Sequence, residues 1–367
     1  MHKMILGALA AASFAAASAG AHAQSLRYNT FMTPKALESM AAPKFFDELS
    51  KATNGKVRGQ VFAGGQLLGG QATLGGIRDG VVDVGFIVPT LNSSEIPSIA
   101  MMPELLPFAD SFWGATGASN ETPMLTCPEC VEELQKVNAV WLGGFGASPW
   151  YLMCRAPISS LADLRGRKVR VTGGFATRMI AAFGGVGVAL TPGEIGPAMQ
   201  QGQIDCTVGN LAWLTTLGLV DSVRAIVDLP LGSYHGLGMF VFNRKSLDRL
   251  SADEKKAMID IIPRHLTAIV KAYEDQEKEA RAAAEAKKIA FWPPSADFKD
   301  ALAKFKEGEV KAAAADMQKF GARNAEENVR KHLENLKTWG EIAARVKNDP
   351  DAMAKELTTR VFSKIKI

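Results

Sequence analysis

Residues 158 to 213, ISSLADLRGRKVRVTGGFATRMIAAFGGVGVALTPGEIGPAMQQGQIDCTVGNLAW, constrain the fold more than any other stretch. Lys168 to Thr172 has the period-two character of a strand, and Gly173 and Gly174 allow a tight turn into a helix over Ala176 to Phe183, which Gly184 and Gly185 end. Val186 to Leu190 resumes an apolar strand. Thr191, Pro192 and Glu194 then supply an N-cap, a first-turn proline and a capping-box acid, and Gly202 closes the helix they open. Ile204 to Val208 is a third strand, left through Gly209 and Asn210. Strand, helix, strand, helix, strand is the grammar of an open α/β sheet.

In such sheets ligand crevices form at the strand exits. Arg170 falls near one exit and Asn210 just past another. A guanidinium is a planar fork that grips a carboxylate through two charge-assisted bonds, and an asparagine amide beside it can donate and accept. The pair suits a small organic acid.

The N-terminus, MHKMILGALAAASFAAASAGAHA, has a cationic start at Lys3, an apolar run to about Ala17 and an A-x-A site at Ala21-His22-Ala23. It reads as a cleavable secretory signal over residues 1–23, so the mature chain is expected to begin at Gln24 and to work outside the cytoplasm. The rest of the chain is long enough for two domains with sizeable cores. Its 42 basic and 38 acidic residues nearly balance and form no basic run, which gives no footprint for nucleic acid. All four cysteines lie in the exported part, where disulfides persist. Three pairings are open; Cys127 with Cys130 and Cys154 with Cys206 is favoured, because the first two are close and the others fall on expected strands. A four-cysteine zinc site would usually show a second C-x2-C, and the histidines form no HExxH or comparable cluster, so neither metal nor cofactor is expected.

Along the chain, Leu26 to Phe31 reads as a strand turning at Thr33-Pro34 into a helix that Pro43 should kink or restart and Asn54-Gly55 stops. Val57 to Phe62 is a strand leading to the glycine loop GGQLLGG, which lacks the Lys-Ser/Thr of a phosphate loop and suits a tight turn at a cleft mouth. The unit around Gly80 to Phe86 is echoed by Gln201 to Asp205, suggesting two lobes of similar build. Val137 to Leu142 is an expected strand and Gly143 to Ala147 an expected hinge. Trp150 and Tyr151 lie on a further strand; Trp213, three residues past Asn210, is the better pocket candidate. Ser251 to Glu254 opens a long helix through Pro263, and the remainder is helical and rich in Ala, Lys and Glu.

With these pieces placed, the chain resembles the substrate-binding proteins of tripartite ATP-independent periplasmic (TRAP) transporters, of the dicarboxylate-binding DctP type. The resemblance is carried by Phe45-Phe46-Asp47-Glu48 through Gly55, the GGQLLGG loop, the Gly80 to Phe86 unit, LPFAD, and above all DLRGRKVRV through AMQQGQID. It implies an α/β, two-lobed periplasmic binding protein fold with crossing strands, a long lobe-spanning helix and a helical C-terminus. Residues 24–147 with 236–273 would form one lobe, and 148–235 with 274–367 the other. It implies a monomeric periplasmic receptor that closes over an organic acid and delivers it to the small and large TRAP membrane subunits. Arg170, the arginine of the K-x-R-V strand, would pair with the ligand carboxylate, with Asn210 beside it. By looser alignment Asn29, Thr30, Phe86, Val88, Thr90 and His235 would face the cleft, with Trp150 and Trp213 as aromatic wall. Two departures stand out. The interval from Asp205 to Asn210 is one residue longer than the common D-G-x-x-N spacing, and a further arginine of some relatives near Pro149-Trp150 is missing, which points to a flatter, more apolar ligand.

Two other classes fit less of the chain. An exported redox enzyme would use Cys127 and Cys130, yet no thioredoxin-like βαβ setting surrounds them, and no clean GxGxxG lies where a dinucleotide would need it. A receptor feeding an ATP-driven importer or a sensor kinase would share the cleft and differ only in partner.

Overall fold

The computed structural model describes residues 23–367; apart from Ala23, the expected signal peptide lies outside the described residues. Eleven strands are present among these residues: β1 (Gln24–Asn29), β2 (Val57–Phe62), β3 (Val84–Ile87), β4 (Ala139–Phe145), β5 (Trp150–Cys154), β6 (Lys168–Val171), β7 (Val186–Ala189), β8 (Cys206–Asn210), β9 (Ala225–Val227), β10 (Leu237–Asn243) and β11 (Ala290–Trp292). They make two sheets. The first has the order β2-β1-β3-β10-β4, the second β11-β9-β5-β8-β6-β7. Each sheet has a parallel part built from βαβ units, and one antiparallel strand, β10 or β5, that arrives from the other side of the molecule.

The stretch from 158 to 213 forms the β8-β6-β7 part of the second sheet, all parallel, with crossover helices Gly173–Ala182 and Pro192–Gln200. The Thr191–Glu194 capping box is present. Gly184, at φ +84°, makes the turn out of the first helix that a side chain would strain. One boundary shifts. Asp205 Oδ2 accepts from the Lys168 amide at 2.8 Å and the Asp205 amide donates to the Lys168 carbonyl at 2.8 Å, which pins the start of β8. The strand therefore runs two residues later than the apolar run suggests, and Asn210 is its last residue.

Two local expectations are corrected. Helix Leu37–Ala52 runs without restarting through Pro43, because the proline removes one hydrogen bond while Phe45, Phe46 and Leu49 anchor the following turns in the core. Gly143 and Gly144 belong to β4 and not to a hinge; Asn120 clamps Gly144 by donating to its carbonyl at 2.8 Å and accepting from its amide at 2.9 Å.

Helix Ala252–Ala286 spans both lobes. Its Ile262, Leu266 and Ile269 pack in the core shared with the first sheet, while Ala280 and Ala284 pack under the second. Within residues 274–367, expected in the second lobe, β11 joins the second sheet and helix Ala296–Lys319 meets helix Gly173–Ala182, while a later helix packs elsewhere. Helix Ala325–Arg345 lies on helix Phe112–Glu121, on the first-sheet side, because Gly114 and Gly117 leave a groove for it. The Trp339 ring fills the space over Gly117, where an added Cβ would stand 2.0 Å from it, and Trp339 Nε1 donates to Glu121 at 2.6 Å. Gly117→Ala is therefore expected to destabilise the fold by ~1–3 kcal/mol through overpacking, measured by chemical denaturation, whereas Gly308→Ala, with open space around it, should not.

The cysteines form Cys127–Cys130 and Cys154–Cys206, as favoured from the sequence. Cys127 and Cys130 are both buried, a setting unlike that of a redox pair that must meet a thiol partner.

Candidate functional site

A cavity of about 860 Å³ lies between the sheets. One wall comes from residues 31–33, 36–38 and 69–72, the other from 170–173, 189–194, Asn210, Ala212 and Trp213; Tyr273 and Gln276 of the long helix close one side. Gly69 and Gly70 of the glycine loop border it, as a turn at a cleft mouth would.

Arg170 sits in β6 opposite Val188 of β7 and Thr207 of β8, and this position buries it to 2% exposure. Its Nε donates to the Leu190 carbonyl at 2.9 Å, its guanidinium lies 5.2 Å from the Trp213 ring, and its Nη1 is buried without a partner. Among the described residues no carboxylate lies within ion-pair distance of it, and it is the only cation lining the cavity. Burial pulls its pKa down to about 10, partly opposed by Tyr234 and Glu194, so at neutral pH it remains a cation held out of water. Isolated buried charges are costly unless something pairs with them.

Trp213 packs where Gly209 has no side chain and leans on Trp150, whose ring stacks on Tyr234 at 4.9 Å. Asn210 faces Trp150 across the β5–β8 pair, and its buried Oδ1 has no partner. The structure thus brings Arg170, Asn210 and Trp213 to one cavity.

The other expected contacts are not on its wall. Asn29 donates to the Leu68 carbonyl at 3.1 Å and to Thr73 Oγ1 at 3.0 Å, bracing the glycine loop. Thr30 Oγ1 accepts from the Met32 amide. Thr90 shares a hydrogen bond with Tyr234 Oη. Phe86 packs behind Phe31, Val88 packs on the core, and Trp150 stands one layer back behind Trp213. Strand-exit position alone does not reveal which polar side chains are spent on supporting loops.

His235 is fully buried, away from the cavity. Asn335 donates to Thr122 Oγ1 at 3.0 Å, Thr122 and His332 Nδ1 are 2.7 Å apart, His332 and His235 meet through their Nε2 atoms at 2.8 Å, and His235 Nδ1 reaches the Ser233 carbonyl at 2.8 Å. Every link is satisfied when both rings are neutral: Thr122 Oγ1–H donates to His332, His332 Nε2–H to His235, and His235 Nδ1–H to the carbonyl. Protonating one ring takes from the Thr122 hydroxyl its acceptor on His332, and protonating both sets two N–H groups against each other. Burial accordingly lowers His235 to about 4 from 6.5, and His332 well below its ordinary value, with the neighbouring His235 adding to the shift. Because the folded pKa is depressed, the unfolded chain takes up protons first as pH falls. Stability is therefore expected to be full above pH 6.5 and to fall between about 6.5 and 4, and His332→Gln should flatten that slope in melting curves.

Several lining residues escaped the sequence reading. Tyr273 completes the apolar stripe Leu266, Ile269, Val270, Tyr273 of the long helix, a spacing that marks it as buried. Glu38 looks like an ordinary first-turn acid and carried no such signal. Glu104 supports the site from behind: it accepts from the amides of Gly174 and Phe175 at 3.0 and 2.6 Å and pairs with Arg178, which also binds Glu309 and Asp316. Glu104 ends helix Pro97–Glu104, so this cluster ties that helix to the turn carrying Thr172 and Gly173 at the cavity.

Two βαβ sheets facing each other across a cavity, bridged by a long helix and crossing strands, define a two-lobed solute receptor. The chain matches the bacterial extracellular solute-binding proteins, family 7 (DctP), over residues 28–316, and it belongs to that family. A curated relative, the 2,3-diketo-L-gulonate-binding periplasmic protein of Escherichia coli, is 26% identical over 246 residues, 65% of this chain and 71% of the relative. The fold is shared with DctP7 of Bordetella pertussis, an extracytoplasmic solute receptor binding pyroglutamic acid, at TM-score 0.73 and 20% identity over 85% of this chain and 100% of the other. It is shared too with a TRAP solute binding protein of Rhodoferax ferrireducens in complex with benzoate, at TM-score 0.74 and 20% identity over 87% and 99% of the two chains.

Proposed function

We propose that this receptor binds a small ring-bearing organic acid in the cavity between its lobes, with the carboxylate on Arg170, and hands it to TRAP membrane subunits from the periplasm. The observation that carries this reading is the guanidinium itself: buried, with Nη1 unpaired and no carboxylate within ion-pair distance among the described residues, on a cavity wall with no other cation. A ligand carboxylate supplies the missing partner through charge-assisted bonds. Phe31 and Trp213 give the cavity flat aromatic surfaces, and Leu91 and Leu190 further apolar ones, that suit a ring. The pyroglutamate, mandelate and benzoate bound by proteins of the same fold support that choice. No helix among the described residues is long and apolar enough to cross a membrane, in keeping with a receptor that meets its permease as a separate chain. Mass spectrometry of ligand released from freshly purified protein, with a thermal-shift panel of acids, tests the reading. Ring monocarboxylates are expected to raise the melting temperature; stabilisation by neutral or cationic solutes alone would overturn it.

A further inference from the structure

The first-lobe wall of the cavity holds a second buried ionisable group. Glu38 stands in the first turn of helix Leu37–Ala52, is 2% exposed, and lines the same cavity as Arg170. Its Oε1 accepts from Tyr273 Oη at 2.5 Å, and Tyr273 is itself buried in the middle of the long helix. Its Oε2 is buried and has no partner.

A first-turn acid ordinarily lies in water, where it complements the helix dipole. That role requires neither burial nor a tyrosine clamp. Here burial raises the carboxyl above its usual range, with the Tyr273 bond working against the rise, and burial and Glu38 together keep the Tyr273 hydroxyl a donor far above neutral pH. Tyr273 fixes one oxygen and leaves the other open. Gln276, one turn further along the same helix, also lines this wall. Native interiors rarely leave such an atom unmatched, and an unpaired acceptor within a ligand cavity is answered most simply by a donor on the ligand. The second-lobe wall offers the unpaired donor of Arg170 beside the unpaired Asn210 Oδ1, and the first-lobe wall offers an acceptor without a donor on Glu38.

We propose that the ligand carries, apart from its carboxylate, an N–H or hydroxyl group that donates to Glu38 Oε2, so that Glu38 selects donor-bearing acids over plain ones. While ionised, the same carboxyl repels a second ligand carboxylate, which sets this receptor apart from one built for dicarboxylates. The inference rests on the carboxylate reading of Arg170.

Two matched pairs of acids test it by calorimetry: benzoate against 3-hydroxybenzoate, and 5-oxotetrahydrofuran-2-carboxylate, in which a ring oxygen replaces the N–H, against pyroglutamate. In at least one pair the donor-bearing acid is expected to bind about tenfold tighter or better, the worth of one hydrogen bond to a charged group. In Glu38→Gln that ratio should shrink by about threefold or more. Where Glu38→Gln does not yield folded protein, Glu38→Asp, which withdraws the carboxylate by one methylene, should shrink the same ratio. Equal affinities within both pairs, or a ratio unchanged in the variant, would overturn the role of Glu38 while binding that still depends on Arg170 leaves the carboxylate reading standing. Failure of all four acids to bind would overturn both together.

Discussion

Replacing Arg170 by alanine is expected to weaken binding of a cognate organic acid by ~2–5 kcal/mol, about thirtyfold to a few thousandfold. The size follows from the setting. The guanidinium is shut away from water, so its attraction for a carboxylate is little screened, and its Nε is already fixed on the Leu190 carbonyl, so the fork is held ready at little entropic cost. No neighbour can take over: the other ionisable side chains on the cavity wall are the acids Glu38 and Glu194 and the hydroxyl of Tyr273. Arg170→Lys should recover only part of the loss, since an ammonium lacks the planar fork and the face that lies over Trp213. Calorimetry on the three proteins reads this directly, with melting curves to show that each is folded. Equal affinity in wild type and Arg170→Ala would remove the arginine from the site.

The second large effect is on stability. Cys154 of β5 and Cys206 of β8 are directly opposite in the second sheet and 52 residues apart in sequence. In the chain-entropy account, a crosslink closing a loop of that length stabilises by ~4 kcal/mol, whereas one closing the short Cys127–Cys130 loop gives ~2 kcal/mol. Cys154→Ala/Cys206→Ala is thus expected to lower unfolding free energy about twice as much as Cys127→Ala/Cys130→Ala, measured by urea denaturation of non-reduced protein. The same strand pair carries Trp150 and Asn210 at its other end, so the crosslink also holds the register on which the cavity wall depends. Equal losses from the two double variants would show that loop length is not what matters.

The fold was legible because its signals are local. The 158–213 run announces strands, glycine turns and a capping box in order, and the structure places the parallel β8-β6-β7 unit there. Arg170, Asn210 and Trp213 could be read because each stands at or just beyond a strand end, where an α/β sheet opens. Asn29, Thr90 and His235 share comparable positions, yet the loop from 64 to 70, Tyr234 and His332 consume their polar atoms, and those partners lie 35 or more residues away in the chain. Glu38 was invisible for the converse reason. Only Tyr273, 235 positions later, turns an ordinary helix-start acid into a buried group on the cavity wall. The packing of Ala325–Arg345 on the first-sheet side was hidden too, since its determinant is the absence of side chains at Gly114 and Gly117.

A crystal structure of the protein with a bound acid would test the central claim most directly. The account predicts a ligand carboxylate oxygen within about 3 Å of a terminal nitrogen of Arg170, the ligand ring lying against Trp213. A ligand seated in the cavity with its carboxylate elsewhere, and Arg170 Nη1 still without a partner, would contradict it.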